Sequence, residues 1–369
     1  MLNLFIHIIF FFYSFQKSDV YFTKEISSEK IVEMFKKLNV ELKGKVGLKV
    51  HTGEIGGKYF LRPHFLQEIY DYTNGTFIEC NTAYPGYDRH TTEGHMKVLK
   101  ENGWLDNNRR TVVMDANYSN DKILQVENHN NISENIVGEH LFDYDSCLVL
   151  AHFKGHAMGG FGGALKQLSI GFASRAGKAN IHSGGFTTDY NQTWNHKAEQ
   201  MDFTAAMADA ASTIVHYFQK KNGIVYINVL ANISTHCDCG NKAPEPRVRD
   251  IGILASTDPV AIDKACYDLI VKEETDGSND WKKWADDRLA LNTIQMAEKL
   301  KIGTQDYNLI KIDNDLWYVW YIILPITGLI IIGLVTFFAI KHRKTIKKEK
   351  LMNETDEGLG SAVISRVEN

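Results

Sequence analysis

Between positions 152 and 183 the chain reads HFKGHAMGGFGGALKQLSIGFASRAGKANIHS. Seven glycines, three histidines, three lysines and one arginine stand there without a carboxylate. Gly160 and Gly163 belong to a glycine run that allows close backbone approach and leads into a helix-like AlaLeuLysGlnLeu. A helix that starts after such a turn points N–H groups at an anion, and Lys154, Lys166, Arg175 and Lys178 would add positive charge. The ligand this pattern predicts is a small anion, for example a carboxylate. Glycines that only permit tight helix–sheet packing are the plainer alternative.

His152 and His156 are four residues apart, the spacing of helical metal ligands, but Gly155 and the preceding apolar run favour a loop. Metal binding and acid–base work are both open to them. His152, His156 and Lys166 are therefore the expected catalytic residues, with His182 a further metal ligand or proton carrier. A second signal is His236-Cys237-Asp238-Cys239. A disulfide across one intervening residue would be strained. Two thiolates would instead hold a zinc or iron ion, with His236 as a third ligand. Reduced, inert thiols are the other reading. Cys80, Cys147 and Cys266 read as buried hydrophobes.

These residues need elements to position them. Strand-like runs cover 45–50, 76–80, 111–114, 147–151, 224–229 and 250–255, alternating with helical periods at 64–72, 92–101 and 202–220. Asp258-Pro259 marks a sharp helix start, and 281–301 reads as one further helix. This alternation predicts an α/β fold with a mixed, mainly parallel sheet flanked by helices. Ligands of such sheets bind at the carboxyl ends of strands. That edge is expected to gather His51 and Glu54, Asn81, the 152–156 group and Ser256.

Composition bounds the rest. The 369 residues are 44% hydrophobic and 23% charged, with a net charge of −4, so neither disorder nor a basic nucleic-acid-binding surface is expected. Residues 1–16 form an uncharged apolar leader of signal-peptide type, a retained anchor being the alternative. Residues 316–340 lack any charged residue or histidine, begin with Trp317, Tyr318, Trp320 and Tyr321, and are followed by Lys341, Arg343, Lys344, Lys347 and Lys348. This is a transmembrane helix with a cytosolic basic tail, 341–369, by the positive-inside bias. The ordering predicts a single-pass protein of the secretory pathway or cell surface, with a lead-in helix at 17–44 and an ectodomain at 45–315 outside the cytosol. Its expected partners are the lipid bilayer and a small anionic ligand, not nucleic acid. Glycosylation sequons at Asn74, Asn117, Asn131, Asn191 and Asn232 agree with that route.

KVGLKVHTGE, NTAYPGYDRHTTEGH, the 152–183 stretch, YINVLANISTHCDCG and DIGILASTDPVAIDKACYDLI together resemble the DUF362 family, whose members are often labelled as iron–sulfur centre proteins. The likeness runs from about 45 to 312 and implies a fold and a site rather than a reaction. Many members carry ferredoxin-type cysteines after the segment matching Lys178–His182. Here 183–194 has no cysteine, so clusters of that kind are not expected. The functional expectation is a metal-assisted enzyme acting on a small anion. A non-catalytic sensor or carrier, and electron transfer at Cys237 and Cys239, are the alternatives.

Overall fold

The computed structural model describes residues 17–236, 240, 243–313 and 317–364. The expected signal peptide and the pair Cys237 and Cys239 lie outside the described residues. Two compact units divide the chain after Asp313.

The first unit opens with strand β1 (Ser18–Thr23) and helix α1 (Ser28–Lys37). The expected lead-in helix is therefore only half right. SerAspValTyrPheThr alternates faces, buries Val20 and Phe22, and pairs as a full sheet member. Ser27 then accepts from the Lys30 N–H and starts the helix. There follow β2 (Val46–Lys49), α2 (Gln67–Thr73), β3 (Thr76–Glu79), α3 (Thr92–Glu101), β4 (Thr111–Val113), and the hairpin β5 (Lys122–Gln125) with β6 (Glu134–Val137). Next come β7 (Ser146–His152), the short hairpin β8 (Lys154–His156) and β9 (Gly160–Gly162), and α4 (Ala164–Lys166), which widens into a π turn at Gln167–Gly171. The unit is completed by α5 (Arg175–His182), α6 (Gln200–Gln219), β10 (Ile224–Leu230), β11 (Gly252–Ser256), α7 (Pro259–Val271), α8 (Asp276–Asp286), α9 (Ala290–Lys299) and β12 (Tyr307–Lys311).

The expected helix 281–301 is two helices. Thr275 and Ser278 form a capping box that starts α8 earlier, and Leu289 takes a left-handed turn (φ 49°) before α9.

Among the described residues one eight-stranded sheet runs in the order β12-β1-β11-β10-β7-β2-β3-β4. Every pairing is parallel except those of β11 with β1 and β10. The mixed, mainly parallel α/β architecture is as expected. Successive residues of the central strands alternate between two buried faces. Tyr226 and Val149 pack with α6 and α7 residues such as Ile214 and Ile262. Ile227, Leu148 and Leu150 pack with Ile31, Ile69 and Leu99 of α1, α2 and α3. A parallel sheet needs this double cover, and it explains the continuous apolar runs. Cys80, Cys147 and Cys266 are buried free thiols.

The second unit is helix α10 (Trp317–Ile364), and its stretch Pro325–Met352 is long and apolar enough to cross a membrane. Leu329, Ile332, Val335 and Phe338 cover several sides of it and are all exposed.

Candidate functional site

Strands β2, β3, β7 and β10 run parallel, so their carboxyl ends share one edge. Each of β2 and β3 ends in a buried charged residue, Lys49 and Glu79. Buried charges must be paired. Lys49 Nζ lies 2.8 Å from Glu79 Oε1, and also donates to Val50 O (2.6 Å) and Gln167 Oε1 (2.8 Å). The second Glu79 oxygen faces Arg89, whose Nε binds Glu54 Oε1 at 2.8 Å and whose other guanidinium nitrogen approaches His51 Nε2 at 3.2 Å. Lys49, Glu79, Arg89, Glu54 and His51 therefore form one continuous network under the sheet edge.

The network borders a cavity of about 370 Å³. Lys154, Lys166, His152 and His156 line it from the β7–α4 segment, and Lys178 reaches it from α5. The π turn broadens the helix so that Lys166, Gln167, Ile170 and Gly171 all face the space. Tyr84, Tyr87 and Trp194 line it as well.

Hydrogen bonds fix two histidine tautomers. His152 Nε2 lies 2.6 Å from Ala231 O; a carbonyl only accepts, so Nε2–H donates and Nδ1 is the acceptor of the uncharged ring. His156 is the mirror case. Its Nδ1 accepts from the N–H groups of Met158 (3.3 Å) and Gly159 (3.1 Å), which places the proton on Nε2. The hairpin that carries His156 is clamped by Trp284, whose indole donates to His156 O, and by Arg288, which donates to Ala157 O.

The electrostatics follow from burial and neighbours. Burial, then Arg89, Lys154 and Lys166, hold His51 well below the usual imidazole range. Burial, then Lys166 and Lys154, do the same to His156. Burial raises Glu54 despite Arg89. At Glu79 burial is outweighed by Lys49 and Arg89, and the carboxyl lies below its usual range. Lys178 is lowered by burial and donates to Ala173 O at 2.5 Å.

The cavity brings together His51, Glu54, His152, Lys154 and His156, which follow strand ends, with Lys166 of α4 and Lys178 of α5. Other expectations are corrected. Asn81 is spent inside the fold: it binds Asp115, Thr92 and, through Oδ1, His95 Nδ1. Arg175 lies between the rings of Tyr118 and Tyr190, with a nitrogen 3.0 Å from His90 Nε2. Ser256 sits at the opposite sheet edge because β11 is antiparallel, and it donates to Asp19 O.

The helix start after the glycine run already has its anion. Asp263 accepts from the Ala164 and Leu165 N–H groups at 2.8 and 2.9 Å. Gly163 is small because that carboxylate stands beside it, and Gly160 (φ +74°) turns the β8–β9 hairpin against Ala290. The anion subsite thus belongs to side chains, not to the helix end.

His182 uses both ring nitrogens within the fold, donating from Nδ1 to Lys178 O (2.7 Å) and accepting from the Tyr84 hydroxyl (2.8 Å). That leaves it without a lone pair for a metal. His236 is exposed with its ring against Trp284. Among the described residues no three His, Cys, Asp or Glu side chains group as a metal site. The metal reading therefore rests on the sequence spacing at 236–239.

Sequence reasoning passed over Lys49, Glu79 and Arg89. A charged residue ending each of two apolar strands was the available signal. Arg89 stands on an isolated 3-10 turn, Asp88–His90, which periodicity does not mark.

The fold and site define an α/β protein with a cationic, histidine-lined cavity at its strand carboxyl ends. Residues 46–268 match the family described as "Domain of unknown function (DUF362)", and the chain belongs to that family. Among solved structures it is similar to the lactate racemase apoprotein from Thermoanaerobacterium thermosaccharolyticum, at 16% identity and a TM-score of 0.37. That match covers 66% of this chain and 57% of the racemase, so the chain spans little over half of the racemase's length. A Thermotoga maritima protein is similar at 11% identity and a TM-score of 0.36, over 75% of this chain and 60% of that one. No curated protein matches.

Proposed function

We propose that the domain is an enzyme that binds a small organic anion between Lys154 and Lys166 and transfers a proton to or from it. The observation that carries this reading is the excess of basic side chains lining the cavity, Arg89, Lys154, Lys166 and Lys178 against Glu54 and Glu79. His51 and His156 are both held well below their usual range by burial, with Lys154 and Lys166 among the further causes for each. Burial, the first cause, disfavours any charge, but the smaller part that comes from the lysines would favour an anion in the same space.

The tautomers supply the chemistry. His156 presents an N–H donor at Nε2, suited to an oxygen of the ligand, and the bond from His152 Nε2 to Ala231 O keeps the proton of that ring off Nδ1. The neutral His156 ring can hold a ligand oxygen by a hydrogen bond, while a His152 ring with Nδ1 unprotonated is in the form that takes up a proton as a general base. In this reading the domain stands outside the cytosol, tethered by α10, with the basic residues from Lys341 onward on the cytosolic side.

Nitrogen-15 NMR of the histidine side chains in the full-length protein tests the assignment. Adding acetate is expected to move the His156 and His152 ring resonances and leave those of buried His95 in place. Shifts confined to histidines outside the cavity would overturn it.

A further inference from the structure

We infer that the ligand carries a flat, aromatic or similarly apolar group beside its anionic end; this rests on the anion reading above and names its substrate class. The lining of the cavity is of two kinds, buried polar and half-exposed aromatic. Lys154, Glu79 and Lys178 are buried polar lining residues, whereas Tyr87 and Trp194 line it while 50% and 48% exposed. Tyr84 joins the two exposed rings. Its centroid is 5.3 Å from that of Trp194 and 6.4 Å from that of Tyr87. These are aromatic contact distances, so the three rings form one cluster.

The cluster is preorganised. The Tyr84 hydroxyl donates to His182 Nε2, and His182 is held in turn by Lys178 O. The hydroxyl of Tyr84 is thereby engaged with the fold, and the ring is what it offers the cavity. His182 also packs edge-on against Trp194, with centroids 5.8 Å apart. Lys178 thus lines the cavity and also supports, through its carbonyl, the histidine that packs against Trp194.

Half-exposed aromatic rings gathered at one cavity have apolar surface still in water. A flat apolar group would cover it, and an anionic group on the same molecule would reach Lys154 and Lys166. About 370 Å³ lies within the size range of small-molecule pockets and leaves room for a ring as well as a carboxylate.

The test is calorimetric titration of the full-length protein in detergent with phenylacetate, acetate and phenylacetamide. Phenylacetate should bind at least about tenfold more tightly than acetate, the value of one good aromatic contact. Trp194→Ala should remove that advantage while leaving acetate affinity unchanged, and Lys166→Ala should weaken both acids. Equal affinities for the two acids, both weakened by Lys166→Ala, would overturn the aromatic group and leave the anion reading standing. So would a phenylacetate advantage that survives Trp194→Ala. Phenylacetamide binding as tightly as phenylacetate, or no binding by either acid, would overturn the anion reading and this inference with it.

Discussion

A Cβ built on Gly163 would stand 2.5 Å from Asp263 Oδ1 and 2.8 Å from the Phe153 ring. Residues 100 positions apart are thus locked together at the start of α4, the helix that brings Lys166 to the cavity. Gly163→Ala should destabilise the protein by about 1–3 kcal/mol, the usual cost of overpacking. Chemical denaturation checks this. An unchanged midpoint would mean that the Asp263 cap yields easily.

Arg89 neutralises Glu54 and half of the demand of Glu79 within a buried network. Arg89→Met should cost about 3–5 kcal/mol, because it leaves carboxylates buried without their partner. Restoring Arg89→Met by a second change, Glu54→Gln, should recover part of the loss. No recovery in the double variant would argue against direct coupling.

Acid sensitivity is built into the buried imidazoles. His95 donates to Asn81, accepts from Thr52, and is lowered to about 3, burial first and then Arg89. Its folded value lies below the unfolded one near 6.5, so the unfolded chain takes up the proton first. The stabilisation is present above about pH 6.5 and is lost as pH falls toward 3. His51 and His156 act in the same sense, while Asp115 and Asp263, raised to about 6 by burial, oppose it between about pH 6 and 4. Comparing the protein with His95→Gln isolates one group. Between pH 6.5 and 5 the native chain should lose up to about 2 kcal/mol more than the variant. Parallel curves would contradict this.

Much of the site was legible because strand ends are marked by where apolar runs stop. His51, Glu54, His152 and Lys154 follow such stops, and the cavity lies among them. Strand direction carries no such mark. Nothing in GlyIleLeuAlaSer distinguishes an antiparallel β11 from its parallel neighbours, and Ser256 was misplaced for that reason. Long-range partners are equally silent. The glycine run does precede a helix, but that the helix end is filled by Asp263 depends on how α7 packs. Lys49 and Glu79 carried a signal, a charge inside an apolar strand, whose meaning appears only when β2 and β3 lie side by side.

The second unit makes a prediction of orientation. The proposed topology puts the basic cluster after Ile340 in the cytosol, so protease added to sealed vesicles of cytosol-out orientation should digest an epitope placed beyond Lys341. The first unit should stay protected. The reverse pattern would contradict the topology.

The central claim, that the cavity at the strand carboxyl ends takes a small organic anion, is tested most directly by titrating phenylacetate into the full-length protein and its Lys154→Gln/Lys166→Gln variant. Both lysines line the cavity, and both depress the protonation of His51 and His156. One-to-one binding to the native protein, weakened at least tenfold in the variant, is the expected result. Binding of equal strength to both, in a variant that still unfolds cooperatively, would contradict it.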